Sequence, residues 1–367
     1  MFGRNKKAET STGPAPAPVA VGTPDSAPLT TAGSAPAAAP ASTTVSGRDP
    51  ATLTGGIDLG GTKIAAAIVG PAHNVIAYAK RPTPNRGGPD DVVREVVEVI
   101  KEAAEQAGVK TSDLRGIGMG APGSVDSATG SLAGAGNLPN WTESYPLGPT
   151  LSDALGTPVS VGNDVQVATH AEYELGAGAD YESLLGVFWG TGVGGGIILD
   201  GEQWKGRGRA GEIGHTLVRR GGARALNGLS GTLEAYAGRK SMEDKARREV
   251  KKGRKTDLFK LMKKHNKTGL TSAVWAKALE HEDELATDLL NRAVVALSAG
   301  IASAVNLLDV EAVVIGGGLG VRFADTLVPE IIDGMGQYLL DPDNPPVVTV
   351  AALGDEGGVI GASLLVD

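Results

Sequence analysis

From residue 53 onward, short apolar runs alternate with glycine-rich breaks and amphipathic stretches, which predicts an α/β protein. An apolar run at 53–59, a break at Gly60-Gly61-Thr62-Lys63 and a second run at 64–69 predict a hairpin, and 75–81 adds a third strand. Between 90 and 106, Val92, Val93, Val96, Val97, Ile100, Ala103 and Ala104 recur at helical spacing, and Gly108 ends that helix. Strands follow at 116–120 and 158–161; the second runs into Gly162-Asn163-Asp164 and a helix at 165–175. The pattern then restarts, with a strand at 184–189, a glycine-rich turn at 190–196 and a strand at 195–199. Two long helical stretches fill 271–308, and a strand at 310–315 enters Gly316-Gly317-Gly318-Leu319-Gly320. A helix is expected from Arg322, a last strand at 347–353 and a closing helix at 357–366. Strand, glycine-rich hairpin and strand thus occur twice, at 53–69 and 184–199, which predicts two similar halves with a nucleotide between them.

Residues 1–50 are dominated by Ala, Pro, Ser, Thr and Gly and have almost no large apolar side chains. Such a segment cannot bury enough surface to offset its chain entropy, so a disordered tail is expected there. The folded part divides into an N-terminal α/β domain at 53–162, a C-terminal α/β domain at 163–345, and a final strand and helix at 346–367 that close the core. Within the second domain, 239–267 holds 13 Lys or Arg against 4 Asp or Glu. Its thin apolar stripe (Val250, Leu258, Leu261, Met262) favours the solvated face of a helical excursion over a polyanion site.

Composition narrows the function. Fifty-four glycines with 4% aromatic residues suit a loop-rich α/β enzyme better than a β-sandwich. A net charge of −8 argues against a nucleic-acid binder. With no cysteine, the chain can form neither a disulfide framework nor a thiolate metal site. No run of 18 apolar residues appears and the N-terminus lacks an apolar signal core, so the expected setting is cytoplasmic, without a membrane partner.

The chemistry lies at the breaks. Backbone amides at Gly60-Gly61 can approach an anion closely, while Thr62 adds a hydroxyl and Lys63 a positive charge. Asp58, just before the turn, can face a metal ion held by phosphates. Five of the seven residues at 190–196 are glycine, so no side chain blocks a phosphate there, and Thr191 can donate a hydrogen bond. The third cluster, 316–320, lies at a strand end, where open α/β sheets bind ligands. Asp164 either caps the helix that follows it or acts as a general base. Glu212 and His215 stand three apart, with Glu234 nineteen residues beyond His215; carboxylates and an imidazole suit a polyol, although a histidine can equally be a satisfied core residue.

With those residues in place the chain resembles the ROK family, the repressor, open-reading-frame and kinase group. The motifs are GIDLGGTK at 56–63, GAPG at 120–123, NLPNW at 137–141, GND at 162–164, GTGVGGGI at 190–197, GEIGH at 211–215, LEAYAG at 233–238 and GGGLG at 316–320. The resemblance covers 55–366 and implies a two-domain, actin-like or hexokinase-like ATPase fold with duplicated mixed-sheet domains around a central cleft. It implies Asp164 as catalytic base, and Asn163, Glu212, His215, Glu234, Asn137 and Gly123 as sugar contacts. It further implies ATP contacts at Asp58, Gly60, Gly61, Thr62 and Lys63, at Gly190, Thr191, Gly192 and Gly194, and at Gly316, Gly317, Gly318 and Gly320. The expected activity is an ATP-dependent hexose kinase, with glucose as acceptor, Mg²⁺ carried by ATP, and a homo-oligomeric state. Rivals are a kinase for N-acetylhexosamine, mannose or fructose, a polyphosphate-using glucokinase, and a sugar-sensing regulator; residues 1–50 could not form the helix-turn-helix that such regulators carry. One departure stands out. Many members hold zinc through the GH histidine and three cysteines, whose positions are here Ala225, Asn227 and Thr232. No structural zinc is therefore expected, and hydrogen bonding and packing should hold that loop.

Overall fold

The structure is a computed structural model that describes residues 49–366. The tail expected at 1–50 falls outside the described residues, apart from Asp49 and Pro50.

The first half is built on β1 (Thr54–Leu59), β2 (Lys63–Val69), β3 (Val75–Pro82) and β4 (Gly116–Ala121). A small separate hairpin, β5 (Ser124–Asp126) and β6 (Ser131–Ala133), precedes β7 (Val159–Asn163). The sheet order is β3-β2-β1-β4-β7, antiparallel across β3-β2-β1 and parallel across β1-β4-β7. The second half repeats this with β8 (Leu184–Trp189), β9 (Val193–Leu199), β10 (Glu202–Gln203), β11 (Ala312–Gly316) and β12 (Val347–Val350). Its order is β10-β9-β8-β11-β12, again antiparallel on one side of the first strand and parallel on the other. The duplicated mixed sheets expected from the two hairpins are both present.

The helices are α1 (Pro89–Ala107), α2 (Leu147–Leu155), α3 (Asp164–Leu175), α4 (Leu233–Ala237), α5 (Arg239–Lys251) and α6 (Leu258–Lys264). They continue with α7 (Ser272–Glu280), α8 (Glu284–Leu308), α9 (Gly317–Gly320), α10 (Leu327–Gly336) and α11 (Gly357–Ser363). Helix α1 buries Val92, Val96, Val99, Ile100 and Ala103 against β2 and β3, as its periodicity predicts. Each large aliphatic side chain so buried stabilises the fold by roughly 1.5–3 kcal/mol. Gly108 closes α1 in the left-handed conformation, its N–H returning to the Ala104 carbonyl.

Much of the glycine serves packing between helix and sheet. A Cβ at Gly56 or Gly118, in β1 and β4, would collide with the carbonyl oxygens of Val359 and Ala362 in α11. In the second sheet, a Cβ at Gly186 or Gly196 would collide with Thr169 of α3. The bare strands let α11 lie directly on one sheet and α3 on the other, and the two helices pack against each other.

Three expectations are adjusted. The segment expected at 346–367 is divided: β12 is the edge of the second sheet, while α11 packs on the first. The last strand stops at Val350, because Ala352 and Leu353 turn their amides to the Glu172 carboxylate. The helix expected from Arg322 begins at Leu327, and a short helix instead opens inside the glycine cluster at Gly317. The basic stretch forms α5 and α6. Lys245–Glu249, Arg247–Glu243 and Arg248–Asp244 pair one turn apart along α5, leaving Met242, Ala246, Leu258 and Leu261 to be buried. Helix α8 is long and apolar enough on average to cross a membrane, yet Leu285, Leu289, Leu290, Leu297 and Ile301 are buried in the second core.

Candidate active site

Two chambers adjoin in the cleft. One of about 520 Å³ is lined by Thr62, Gly123, Asn137, Asn163, Glu212, His215 and Glu234. The other, about 610 Å³, is lined by Asp58, Lys63, Glu172, Ser272, Gly317, Gly318, Arg322, Asp355 and Gly358. Asp164, Val165, Phe188 and Gly317 belong to both walls, so Asp164 stands where the chambers meet.

Local folding explains why Asp164 is available there. Asn163, not Asp164, caps α3: its Oδ1 accepts from Val165 N at 3.1 Å and Gln166 N at 3.2 Å. The Asn163 amide donates to the Gly123 carbonyl at 3.2 Å, fixing the sugar-side loop to the helix. Asp164 accepts the Val165 amide at 3.0 Å. Its pKa is raised to about 6, first by burial, then by the negative charge of Asp58 and, less, by Glu212. Burial also raises Asp58, with Asp355 adding to the effect and Lys63 opposing it.

In the sugar-side chamber, Glu234 on α4 accepts Val193 N at 3.0 Å through Oε2. Glu212 Oε2 lies 3.7 Å from His215 Nε2. Asn137 Oδ1 accepts from Lys240 Nζ at 2.7 Å, a contact that spans the cleft from α5 to the first half. The six expected sugar contacts therefore line one chamber.

The turns are held from outside. Gly60 N donates to the Lys63 carbonyl at 2.9 Å, and the Thr83 hydroxyl donates to the Gly60 carbonyl at 2.6 Å. In the second turn, Arg239 Nη2 donates to Thr191 Oγ1 at 2.8 Å, while Arg239 N and Lys240 N donate to the carbonyls of Gly190 and Thr191, both at 3.1 Å. Thr191 keeps its hydroxyl proton for a ligand. Gly60, Gly61, Thr62, Gly190, Thr191, Gly192 and Gly194 line the sugar-side chamber; Asp58, Lys63, Gly317 and Gly318 line the other. Gly316 and Gly320 line neither, and a Cβ there would meet the Phe188 ring at 2.6 Å or Ile315 Cγ2 at 3.0 Å, so close packing by itself accounts for a glycine at each. Gly317, at φ +79° against the Trp189 carbonyl, is the glycine that the turn itself requires.

Sequence reasoning missed several groups, some on the chamber walls (Asp355, Gly358, Glu172) and some that bond to wall residues from behind (Thr83, Arg239, Lys240). Asp355 and Gly358 carry a visible signal, a glycine pair that opens the closing helix. Lys240 and Arg239 sit in a stretch whose charge reads as solvated surface, and nothing local marks Thr83 or Glu172. Glu172 is buried; it accepts Ala177 N, Ala352 N and Leu353 N, each at 2.9 Å, and so ties α3 to the loop after β12.

The loop that lacks the cysteines is held by backbone bonds. Val218 N and Arg219 N donate to the Gly231 carbonyl at 2.9 and 3.0 Å, Gly231 N to Ala223 O at 2.7 Å, and Leu233 N to Thr216 O at 2.9 Å. The Tyr236 hydroxyl accepts Ala223 N at 2.9 Å, and Ala225 and Thr232 are buried. Asn227 Nδ2 lies 3.5 Å from His215 Nδ1.

Residues 54–367 match the model of the ROK family. A glucokinase of Halalkalibacterium halodurans is 33% identical over 318 residues, 85% of this chain and 94% of its own. An N-acetylmannosamine kinase of Haemophilus influenzae is 29% identical over 317 residues, 84% of this chain and 93% of its own. The crystal structure of a ROK family glucokinase from Streptomyces griseus, in complex with glucose and AMPPNP, aligns with a TM-score of 0.72 at 28% identity, covering 85% of this chain and 98% of that one.

Proposed function

The chain belongs to the ROK family, and from that premise we propose that this sugar kinase transfers the γ-phosphate of ATP to the 6-hydroxyl of glucose. The observation that carries the reaction is the place of Asp164, at the junction of a chamber lined by carboxylates, amides and an imidazole and a chamber edged by Asp58 and Lys63 of the first turn. Glu212, His215, Glu234, Asn137 and Asn163 hold the sugar hydroxyls, each through an acceptor or donor of fixed direction. The 6-hydroxyl then lies at Asp164 and faces the γ-phosphate in line. As the new O–P bond forms and the bond to ADP breaks, Asp164 takes the hydroxyl proton. Its pKa of about 6 keeps it ionised at neutral pH while making it a better base than a free carboxylate.

The turn amides at Gly60-Gly61 and Gly190–Gly194, with Lys63 and the Thr62 and Thr191 hydroxyls, face the phosphates. A nucleoside lies over Gly317 and Gly318. Among the described residues no cluster of three or more acids or imidazoles forms a metal site by protein ligands alone. Asp58 and Asp164 line the same chamber as buried carboxylates, each raised chiefly by burial, which fits a cation arriving with the nucleotide. Such an ion, Mg²⁺, would be held near Asp58 and Asp355 and would spread charge on the phosphates.

Glucokinases at 33% and 28% identity bracket an N-acetylmannosamine kinase at 29%, so glucose is the acceptor we propose and the choice rests on assay. An ADP-release assay with Mg-ATP across glucose, mannose, fructose, N-acetylglucosamine and N-acetylmannosamine tests it. Preference for glucose by kcat/KM is the expected result; preference for an N-acetylated sugar would reassign the acceptor, and no turnover on any sugar would remove the activity.

A further inference from the structure

Outside the reaction chambers, a third cavity of about 510 Å³ opens between the β5–β6 hairpin and the loop before Gly211. One wall is hydroxyl-rich, including Ser124, Ser127, Ser131 and Ser144. The other is Lys205-Gly206-Arg207-Gly208-Arg209. The two glycines adopt φ +54° and +91°, and Gly208 N donates to the Lys205 carbonyl at 2.8 Å, so the loop folds sharply and brings three cations to one cavity. Within the described residues, Lys205, Arg207 and Arg209 make no side-chain hydrogen bond or ion pair, unlike Arg247, Arg248 and Arg254 on the helical excursion. Asp126 is the one acid on the cavity wall, and its Oδ1 accepts Ala128 N at 3.0 Å and Thr129 N at 3.4 Å. In a chain of net charge −8, a chamber with three uncommitted cations facing hydroxyl donors has the chemistry of an oxyanion receptor.

We propose that this cavity binds a phosphate group, supplied by the phosphorylated hexose that leaves the neighbouring sugar-side chamber. The position fits that ligand. Ser124 directly follows Gly123, and Arg209 lies three residues before Glu212, so both walls of this cavity continue along the chain into segments that line the sugar-side chamber. Arginine offers the bidentate fork that matches a phosphate, and the serines complete the donor set. Occupancy holds product at the mouth of the cleft and makes turnover sensitive to product. The hexose identity of the ligand rests on the kinase function proposed above; the phosphate chemistry of the cavity does not.

Trp204 supplies a direct readout. It adjoins Lys205 and is 50% exposed, whereas Trp141, Trp189 and Trp275 are at most 3% exposed. Tryptophan emission of the full chain is followed while inorganic phosphate or glucose 6-phosphate is added, in low and high salt, for the parent, for R207S/R209S, and for Trp204→Phe to assign the signal. The expected result is a saturable change, screened by salt. It should weaken about tenfold or more in R207S/R209S, since two charge-assisted contacts are lost. Kinase turnover at low product should stay within about twofold. Tighter binding of glucose 6-phosphate than of phosphate supports product as the ligand; equal binding, weakened alike in the variant, keeps the phosphate site and removes the sugar. An unchanged response in R207S/R209S, or none in the parent, overturns the proposal. A phosphate response without hexose-dependent ADP release would fail the kinase function alone.

Discussion

The two halves share a sheet and differ in what crosses over it. In the first, the chain passes from β3 to β4 with α1 as its main helix; in the second, the passage from β10 to β11 holds α4 to α8. The turns differ to match. The first carries its own charge, with Asp58 before it and Lys63 at its end, whereas the second is bare except for Thr191 and takes Arg239 from the crossover. Glu212, His215, Glu234 and Lys240 also come from that crossover. In the function proposed above, the duplicated frame supplies the two turns for the phosphate chain, and the unduplicated segment adds three of the proposed sugar contacts, Glu212, His215 and Glu234.

The comparison breaks hardest at the junction. Asp164→Asn should lower kcat about a thousandfold while sugar binding by calorimetry persists. Sugar-dependent turnover within a few-fold of the parent would take Asp164 out of the base role. In the parent, kcat/KM should fall about tenfold per unit as pH drops below about 6, because protonated Asp164 cannot accept a proton. Stability runs the other way. The folded pKa of about 6 lies above the ordinary 3.8, so the unfolded chain ionises first as pH rises and stability is lost between those values. Asp164→Asn should therefore gain up to about 3 kcal/mol by denaturant unfolding at pH 8 and nothing at pH 3.

Next in size, Glu234→Ala should cost about thirtyfold in kcat/KM, from one charged contact to the sugar and the freed Val193 amide. Arg239→Leu should raise KM for ATP about tenfold, and adding Thr191→Val should cost less than Thr191→Val costs alone, because Arg239 orients the hydroxyl that Thr191 turns to the phosphates. Fully additive losses would show that Arg239 does not work through Thr191. The smallest effect belongs to Lys240→Ala, about threefold in KM for sugar, since its bridge to Asn137 is exposed. An equal change in KM for ATP would mean that the bridge aligns the halves rather than Asn137.

What could be read from the chain follows the range of the interactions. The hairpins at 53–69 and 184–199 and helix α1 were legible because their periodicity and punctuation are local. The stretch 239–267 was legible in part: the charges of α5 from Glu243 to Glu249 pair one turn apart, whereas Arg254 reaches Asp288 and Arg239 and Lys240 reach Thr191 and Asn137. The glycines at 316 and 320 were read as ligand contacts, yet close packing on Phe188 and Ile315 by itself accounts for them, and a one-dimensional pattern does not separate such packing from an anion turn. The cap on α3 was read as one of two uses for Asp164, and it falls instead to Asn163, whose Oδ1 accepts the amides of Val165 and Gln166. Lys240 reaches Asn137 across 103 residues, and Glu172 reaches Leu353 across 181; no periodicity reports contacts at such separations.

Glu172 ties the last residues of β12's loop to the same helix that begins with Asp164, and that helix lies between the two sheets beside α11. Points near an axle travel least when the wheels turn. If the sheets swing about α3 and α11, the outer lips of the cleft sweep the longest arcs while the proton acceptor stays nearly still. The lips can then admit and release molecules of different bulk without disturbing the alignment that a proton transfer demands, and wear at the rim need not be felt at the hub.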